Sequence, residues 1–338
     1  MRRQKAAVLA MVLAAGLSLS ACKGGSQEAA AGSEATKEVE QKAEKEDVTS
    51  ETAGEDQETS KEGKADGEND ENEKHSDTVL LAVSFGTSYN DSRDLTIGAV
   101  EQAIAEALPQ YELRRAFTAQ IIIDKLKERD GLKIDNVTEA LDRAVADGVK
   151  NLIVQPTHLM DGFEYNDVVN ELEEYREYFD QIVVGKPLLD SEEDFDTVAK
   201  AIVEATKDKD DGETAIVFMG HGTEAESNQV YEKLQNTLTE GGYENYYIGT
   251  VEAEPGLADV SAALKEAGTC KKVVLRPLML VAGDHANNDM AGEEEDSWKR
   301  VLEAEGYQVE CQIHGLGELE AVRELYVEHA RAAAELLK

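Results

Sequence analysis

From residue 78 onward, short apolar runs alternate with stretches of helical periodicity, and few folds are compatible with that pattern. Strands are expected at 79–85, 112–117, 152–155 and 182–184, and then again at 215–218, 246–250, 272–277 and 308–313. The spacing between them predicts helices over 92–108, 121–129, 137–147, 165–179 and 192–207, then 227–239, 257–267, 289–305 and 319–337. Strands this short, apolar on both faces and separated by helices, form parallel sheets covered by helices. Two such series predict an α/β fold of two similar lobes with a cleft between them. Lobe 1 takes about 78–190 plus the C-terminal helix 319–337, and lobe 2 takes about 191–318.

The two series also align with each other. Phe85-Gly86-Thr87 lies over His221-Gly222-Thr223, and Gln155-Pro156 followed by Gly162 lies over Arg276-Pro277 followed by Gly283. More weakly, Phe117-Thr118-Ala119-Gln120 lies over Gly249-Thr250-Val251-Glu252. A duplicated unit is the simplest source of such self-similarity. All of these positions fall after strands, where open α/β sheets bind ligands.

The segment before residue 78 is different in kind. Residues 1–22 begin with Arg2, Arg3 and Lys5, continue in an uncharged apolar run and end in Leu19-Ser20-Ala21-Cys22. The run is shorter than the roughly 20 residues of a comfortable membrane span, so it reads as a secretion signal. Its ending resembles the lipobox of bacterial lipoproteins, which implies cleavage before Cys22 and acylation of that thiol. Cys22 is then a lipid anchor holding the protein at the outer face of the cytoplasmic membrane. Residues 23–77 contain no Leu, Ile, Met, Phe, Tyr or Trp, and carry 18 acidic and 7 basic side chains. Such a stretch cannot bury enough apolar area to offset the entropy of ordering it. It is expected to be a disordered acidic tether, with His75 inert.

The whole chain carries a formal net charge of −37. That excludes a nucleic-acid binder, which must neutralise phosphates with clustered Lys and Arg. Three cysteines cannot staple a chain of this length, so an apolar core must hold it. Outside the cytoplasm Cys270 and Cys311 could pair. Two separate, partly buried thiols are the slightly preferred expectation.

The chemistry lies at the strand ends of lobe 2. His221, Glu252 and His285 each follow a different strand, and three neighbouring strand ends can converge on one point. Two imidazoles and a carboxylate suit Co²⁺, Fe²⁺, Ni²⁺ or Zn²⁺. Glu164 occupies the lobe 1 position that aligns with His285 and can face it across the cleft, and His158 is a further cleft candidate. For His314 a turn role is expected, and for His329 a surface or packing role. The Gly220–Gly222 turn has neither the Walker nor the dinucleotide spacing, so no nucleotide is expected.

Several segments resemble the anaerobic cobalt chelatases, the sirohydrochlorin cobaltochelatase family of class II chelatases. They are Val83-Ser84-Phe85-Gly86-Thr87-Ser88, Arg115-Ala116-Phe117-Thr118, Gly162-Phe163-Glu164-Tyr165, Val217-Phe218-Met219-Gly220-His221-Gly222 and Gly249-Thr250-Val251-Glu252. The longest runs from Pro277 through Gly283-Asp284-His285-Ala286 to Asp296-Ser297-Trp298-Lys299. The resemblance implies ATP-independent insertion of Co²⁺ into sirohydrochlorin, as in anaerobic cobalamin biosynthesis. It implies that His221 and His285 are the paired metal-site histidines, and that Glu164 and Glu252 are the acidic cleft positions. Glu254 departs from the family, standing where an aromatic residue is common, and the export signal departs from its cytoplasmic members.

An acidic protein attracts the cation but repels a macrocycle of eight carboxylates. Arg114, Arg115, Ser84, Thr87, Ser88 and backbone amides of the Gly-rich turns are the expected holders of those carboxylates. Two other functions are compatible with the sequence. One is an extracytoplasmic lipoprotein that binds a tetrapyrrole, haem or a metal with little turnover, which the export signal favours. The other is a zinc hydrolase, disfavoured by the missing His-Glu-x-x-His pattern. Self-association into a homo-oligomer stays open.

Overall fold

The computed structural model describes residues 76–338. The expected export signal 1–22 with Cys22, His75 and most of the expected 23–77 tether therefore lie outside the described residues. Two parallel sheets organise the chain. The first contains β1 (Thr78–Ser84), β2 (Glu112–Phe117), β3 (Asp135–Asn136), β4 (Asn151–Pro156) and β5 (Gln181–Val184), in the order β3-β2-β1-β4-β5. The second contains β6 (Thr214–Gly220), β7 (Tyr246–Thr250), β8 (Lys272–Pro277) and β9 (Gln308–Cys311), in the order β7-β6-β8-β9. The central strands are buried along their length because helices cover both faces.

The strand orders superimpose if β1 matches β6, β2 matches β7, β4 matches β8 and β5 matches β9. The two-residue β3 is an addition that the sequence pattern was too short to reveal. Equivalent backbone bonds confirm the register: Thr157 N donates to Val83 O at 2.8 Å, and Leu278 N to Met219 O at 2.7 Å. Thr118 N and Ala119 N donate to Ser84 O and Phe85 O, as Val251 N and Glu252 N donate to Gly220 O and His221 O. Glu252 is therefore the counterpart of Ala119 and not of Gln120. The weakest of the three internal alignments was out by one residue.

Helices connect the strands. They include α1 (Ala99–Ala107), α2 (Gln120–Asp130), α3 (Val137–Ala146), α4 (Phe163–Glu174), α5 (Glu192–Thr206), α6 (Gln229–Glu240), α7 (Leu257–Ala267), α8 (Trp298–Ala304) and α9 (Glu320–Ala334). The helix expected over 289–305 is interrupted. A π turn, Ala286–Met290, is followed closely by Gly292, where a Cβ would come within 2.3 Å of the Asn288 carbonyl oxygen. Four acidic residues follow, and Ser297 then caps α8 by accepting from Arg300 N. The C-terminal α9 turns back to pack on α1 and β4, and also on α5.

The largest apolar core lies between the lobes. Leu80, Val100, Ile104 and Ile153 of the first sheet region pack in one cluster with Phe195, Ile202, Ile216, Phe218, Tyr231, Val274 and Tyr326. Separate clusters cover the outer face of each sheet. A shared dry core of this kind opposes free swinging of one lobe against the other. Cys270 and Cys311 are both free, and burial pushes the Cys311 thiol up to about 11. Among the described residues no helix is long and apolar enough to cross a membrane.

Candidate metal centre in the cleft

His221 leaves the end of β6 through a turn that only glycine permits. Gly222 has φ +87°, and a Cβ there would meet Ala253 N at 2.8 Å and Thr250 Cβ at 2.9 Å. The close approach brings the end of β7 against the His221 turn, and Glu252 N bonds to His221 O at 2.9 Å. The Tyr231 hydroxyl, buried under the turn, accepts from Gly222 N at 3.2 Å. From β8 the chain runs out to His285, immediately before the Ala286–Met290 π turn.

These three strand ends converge as expected. One ligand atom from each of His221, Glu252 and His285 lies within 4.8 Å of the others. Ligands of a tetrahedral ion, with bonds of about 2.0–2.1 Å, sit roughly 3.4 Å apart, so small side-chain rotations would close the set. The two imidazoles meet edge to face, with ring centroids 4.8 Å apart.

Hydrogen bonds fix which nitrogen faces the centre. His221 Nδ1 lies 2.8 Å from Gly222 O, and a carbonyl only accepts, so Nδ1 carries the proton. His285 Nδ1 lies 2.7 Å from an Asp289 carboxylate oxygen, so it too is the protonated nitrogen. Both Nε2 lone pairs are therefore left for a ligand, with an acceptor behind each ring to orient it. Burial disfavours the charged form of His285. Its bond to Asp289 and the charges of Asp289, Glu252 and Asp284 outweigh that, and its pKa lies above the ordinary value.

Glu164, in the first turn of α4, faces the cluster. Its side chain is 49% exposed, because it opens onto the cleft, yet protein crowds it from behind. That crowding, with the charges of Asp167 and Glu252, pushes its carboxyl up to about 7. His158 lies behind it, with Nε2 3.8 Å from Glu164 Oε2. Both nitrogens of that ring are buried without a hydrogen-bond partner, and burial holds its pKa down at about 4. Expected to contact the substrate, His158 is instead a neutral imidazole sealed behind Glu164.

Other expected cleft groups are also committed elsewhere. The Ser84 hydroxyl is buried and shares a 2.7 Å hydrogen bond with Thr157, so it links β1 to β4 and is not presented to a ligand. Thr87 is buried at the lobe junction, where it accepts from Tyr89 N. Ser88 is half-buried, and its carbonyl accepts from Arg129. Arg114 pairs with Glu112 and Asp147, and Arg115 with Glu101, so neither guanidinium is free for a macrocycle carboxylate. His314 bonds Glu318 in the expected turn, and His329 bonds Asp194. Sequence reasoning missed Asp289 and Tyr231. An i,i+4 acid after His285 was the available signal for Asp289, whereas nothing local marked Tyr231.

The cobalt chelatase (CbiK) family model matches residues 78–335. A sirohydrochlorin cobaltochelatase from Salmonella typhimurium is 37% identical over 258 residues, covering 76% of this chain and 97% of that protein. Sirohydrochlorin cobaltochelatase CbiKC from Nitratidesulfovibrio vulgaris is 32% identical over 260 residues, covering 76% and 91%. Among solved structures, SirB from Bacillus subtilis with Fe³⁺ shares the fold at a TM-score of 0.55 and 15% identity, covering 76% of this chain and 95% of that one.

Proposed function

The chain belongs to the cobalt chelatase (CbiK) family, and on that premise we propose that it inserts Co²⁺ into sirohydrochlorin without ATP. The observation that carries this reading is the cluster of His221, Glu252 and His285, with their ligand atoms within 4.8 Å, facing Glu164.

The residues divide the work. The Nε2 atoms of His221 and His285 and the Glu252 carboxylate hold the arriving ion. Imidazole binds such borderline ions well but yields them to four pyrrole nitrogens, a stronger chelate. Two N–H protons must leave the macrocycle as the ion enters. Glu164, poised near neutrality beside the cluster, is the base that receives them, and solvent in the cleft relays them onward. Fe²⁺, Ni²⁺ and Zn²⁺ fit the same donors and are competing substrates.

The reading also includes a location. The basic start, apolar run and Leu19-Ser20-Ala21-Cys22 ending support export and lipid anchoring through Cys22. The same export signal favours a second reading, a tetrapyrrole-binding lipoprotein with little turnover.

One assay separates them. The purified protein is mixed with sirohydrochlorin and with Co²⁺, Fe²⁺ or Ni²⁺ in turn, and insertion is followed by absorbance. Catalytic cobalt insertion is the expected result. Tight macrocycle binding with no acceleration over the metal and macrocycle alone would establish the binding protein instead.

A further inference from the structure

A second, open cavity of about 610 Å³ lies on the β9 side of lobe 2. None of the cleft residues lines it. Its wall includes Ala205 at the end of α5, Lys209 beyond it, Arg276 of β8, and Ile313, His314 and Leu319 past β9. It is widely open to solvent and more polar than apolar, with room for a small ligand.

Arg276 is the unusual group. It is 5% exposed, yet its one hydrogen bond is from Nη1 to Ala205 O at 3.3 Å. Among the described residues no carboxylate pairs with it. Glu310 is held by Lys209 at 2.6 Å and Glu318 by His314 at 2.8 Å, so both acids of the cavity wall are already engaged. A guanidinium largely withdrawn from water without a counter-ion is costly. Burial accordingly lowers its pKa, with Glu318 opposing the shift. The remaining N–H groups make no hydrogen bond and are not sealed inside the protein.

The duplicated lobe shows that the fold does not require a charge here. The counterpart of Arg276 is Gln155, whose amide is fully buried and donates to Pro156 O at 2.8 Å and Lys186 O at 3.0 Å. Lobe 1 thus fills the position with a neutral group whose N–H donors are met, although its Oε1 is buried without a partner. Lobe 2 places a guanidinium whose remaining donors have no protein partner at the wall of an open cavity.

We propose that this cavity is a second ligand site, which takes a small organic monocarboxylate on the Arg276 fork. A planar carboxylate matches the two-pronged donor geometry of guanidinium. Glu310 and Glu318 disfavour a dianion such as phosphate, and Ala205, Ile313 and Leu319 give an apolar tail somewhere to lie.

Butyrate and inorganic phosphate serve as probes, titrated calorimetrically into the metal-free protein. Butyrate is expected to bind, more tightly than phosphate. Arg276→Gln, which copies lobe 1, should weaken it by about tenfold or more, the worth of a charge-assisted fork. Ile313→Trp should block the cavity while leaving Arg276 in place, and it decides the matter if thermal melting shows that Arg276→Gln does not fold. Equal butyrate binding by the native protein and the folded variants, or binding of neither anion, overturns the site. Tighter binding of phosphate than of butyrate overturns the choice of ligand.

Discussion

The two lobes share a scaffold and differ in what it presents. Equivalent strand orders, equivalent loop hydrogen bonds and two left-handed glycines, Gly86 at φ +102° and Gly222 at φ +87°, show one design used twice. On that design lobe 1 places Phe85, Ala119 and Glu164, while lobe 2 places His221, Glu252 and His285. One lobe gathers three side chains that could hold a metal ion, and the other keeps a single carboxyl held near neutrality. The close approaches differ correspondingly. A Cβ on Gly86 would strike the Phe117 ring, whereas one on Gly222 would strike the backbone that carries Glu252. One scaffold thus supplies the geometry twice, and different residues at three strand ends divide metal handling from proton handling in the proposed mechanism.

The comparison can be broken by making lobe 2 imitate lobe 1. His221→Phe and Glu252→Ala each copy the equivalent residue. Either should lower cobalt insertion by more than about 100-fold, because outer-shell partners of metal ligands are by themselves worth roughly 10–100-fold. Both positions are incompletely buried, so the melting temperature should change little. Insertion at near-native rate by either folded variant would remove the metal-donor assignment.

Much of this was legible in the sequence, for identifiable reasons. Strand existence was readable because parallel strands buried on both faces are short continuous apolar runs. The convergence of His221, Glu252 and His285 was readable because ligand-type residues after successive parallel strands share one edge of a sheet. The fate of the polar cleft candidates was not readable. Ser84 and Thr157 are 73 residues apart and meet only because β1 pairs with β4. Arg115 is neutralised by Glu101 from a different element, and only packing brings them together. The break before α8 was missed because an acidic run can also be the exposed face of a helix, while the close approach of Gly292 to the Asn288 carbonyl exists only in three dimensions.

The next largest effect concerns the proton side of the division. Glu164→Gln keeps the shape and removes the base, and insertion should fall by about 10²–10⁴-fold, the usual worth of general base catalysis. The sign of the pH dependence follows from the raised pKa. The ionised carboxylate is the active form, so native activity should climb as pH rises through about 7 and fall on the acid side. The variant should lose that limb while still binding Co²⁺. A variant with the same acid limb as the native protein would assign the titration to another group.

The smallest effect tests the orientation of one donor. Asp289 does not belong to the donor cluster, but it holds His285 Nδ1 at 2.7 Å and so aims Nε2 at the cluster. Asparagine is nearly isosteric and can still accept from Nδ1–H through its carbonyl oxygen, yet it removes the negative charge. His285 should then be a weaker base and a weaker ligand, with Co²⁺ affinity lower by about 10–100-fold. No matching substitution exists in lobe 1, where Glu164 takes the place of His285 and has no ring to orient. If Asp289→Asn left Co²⁺ affinity, measured by calorimetry, unchanged while Glu164→Gln still abolished the pH limb, ring orientation would belong to the backbone of the π turn. The difference between the lobes would then rest on the strand-end residues alone.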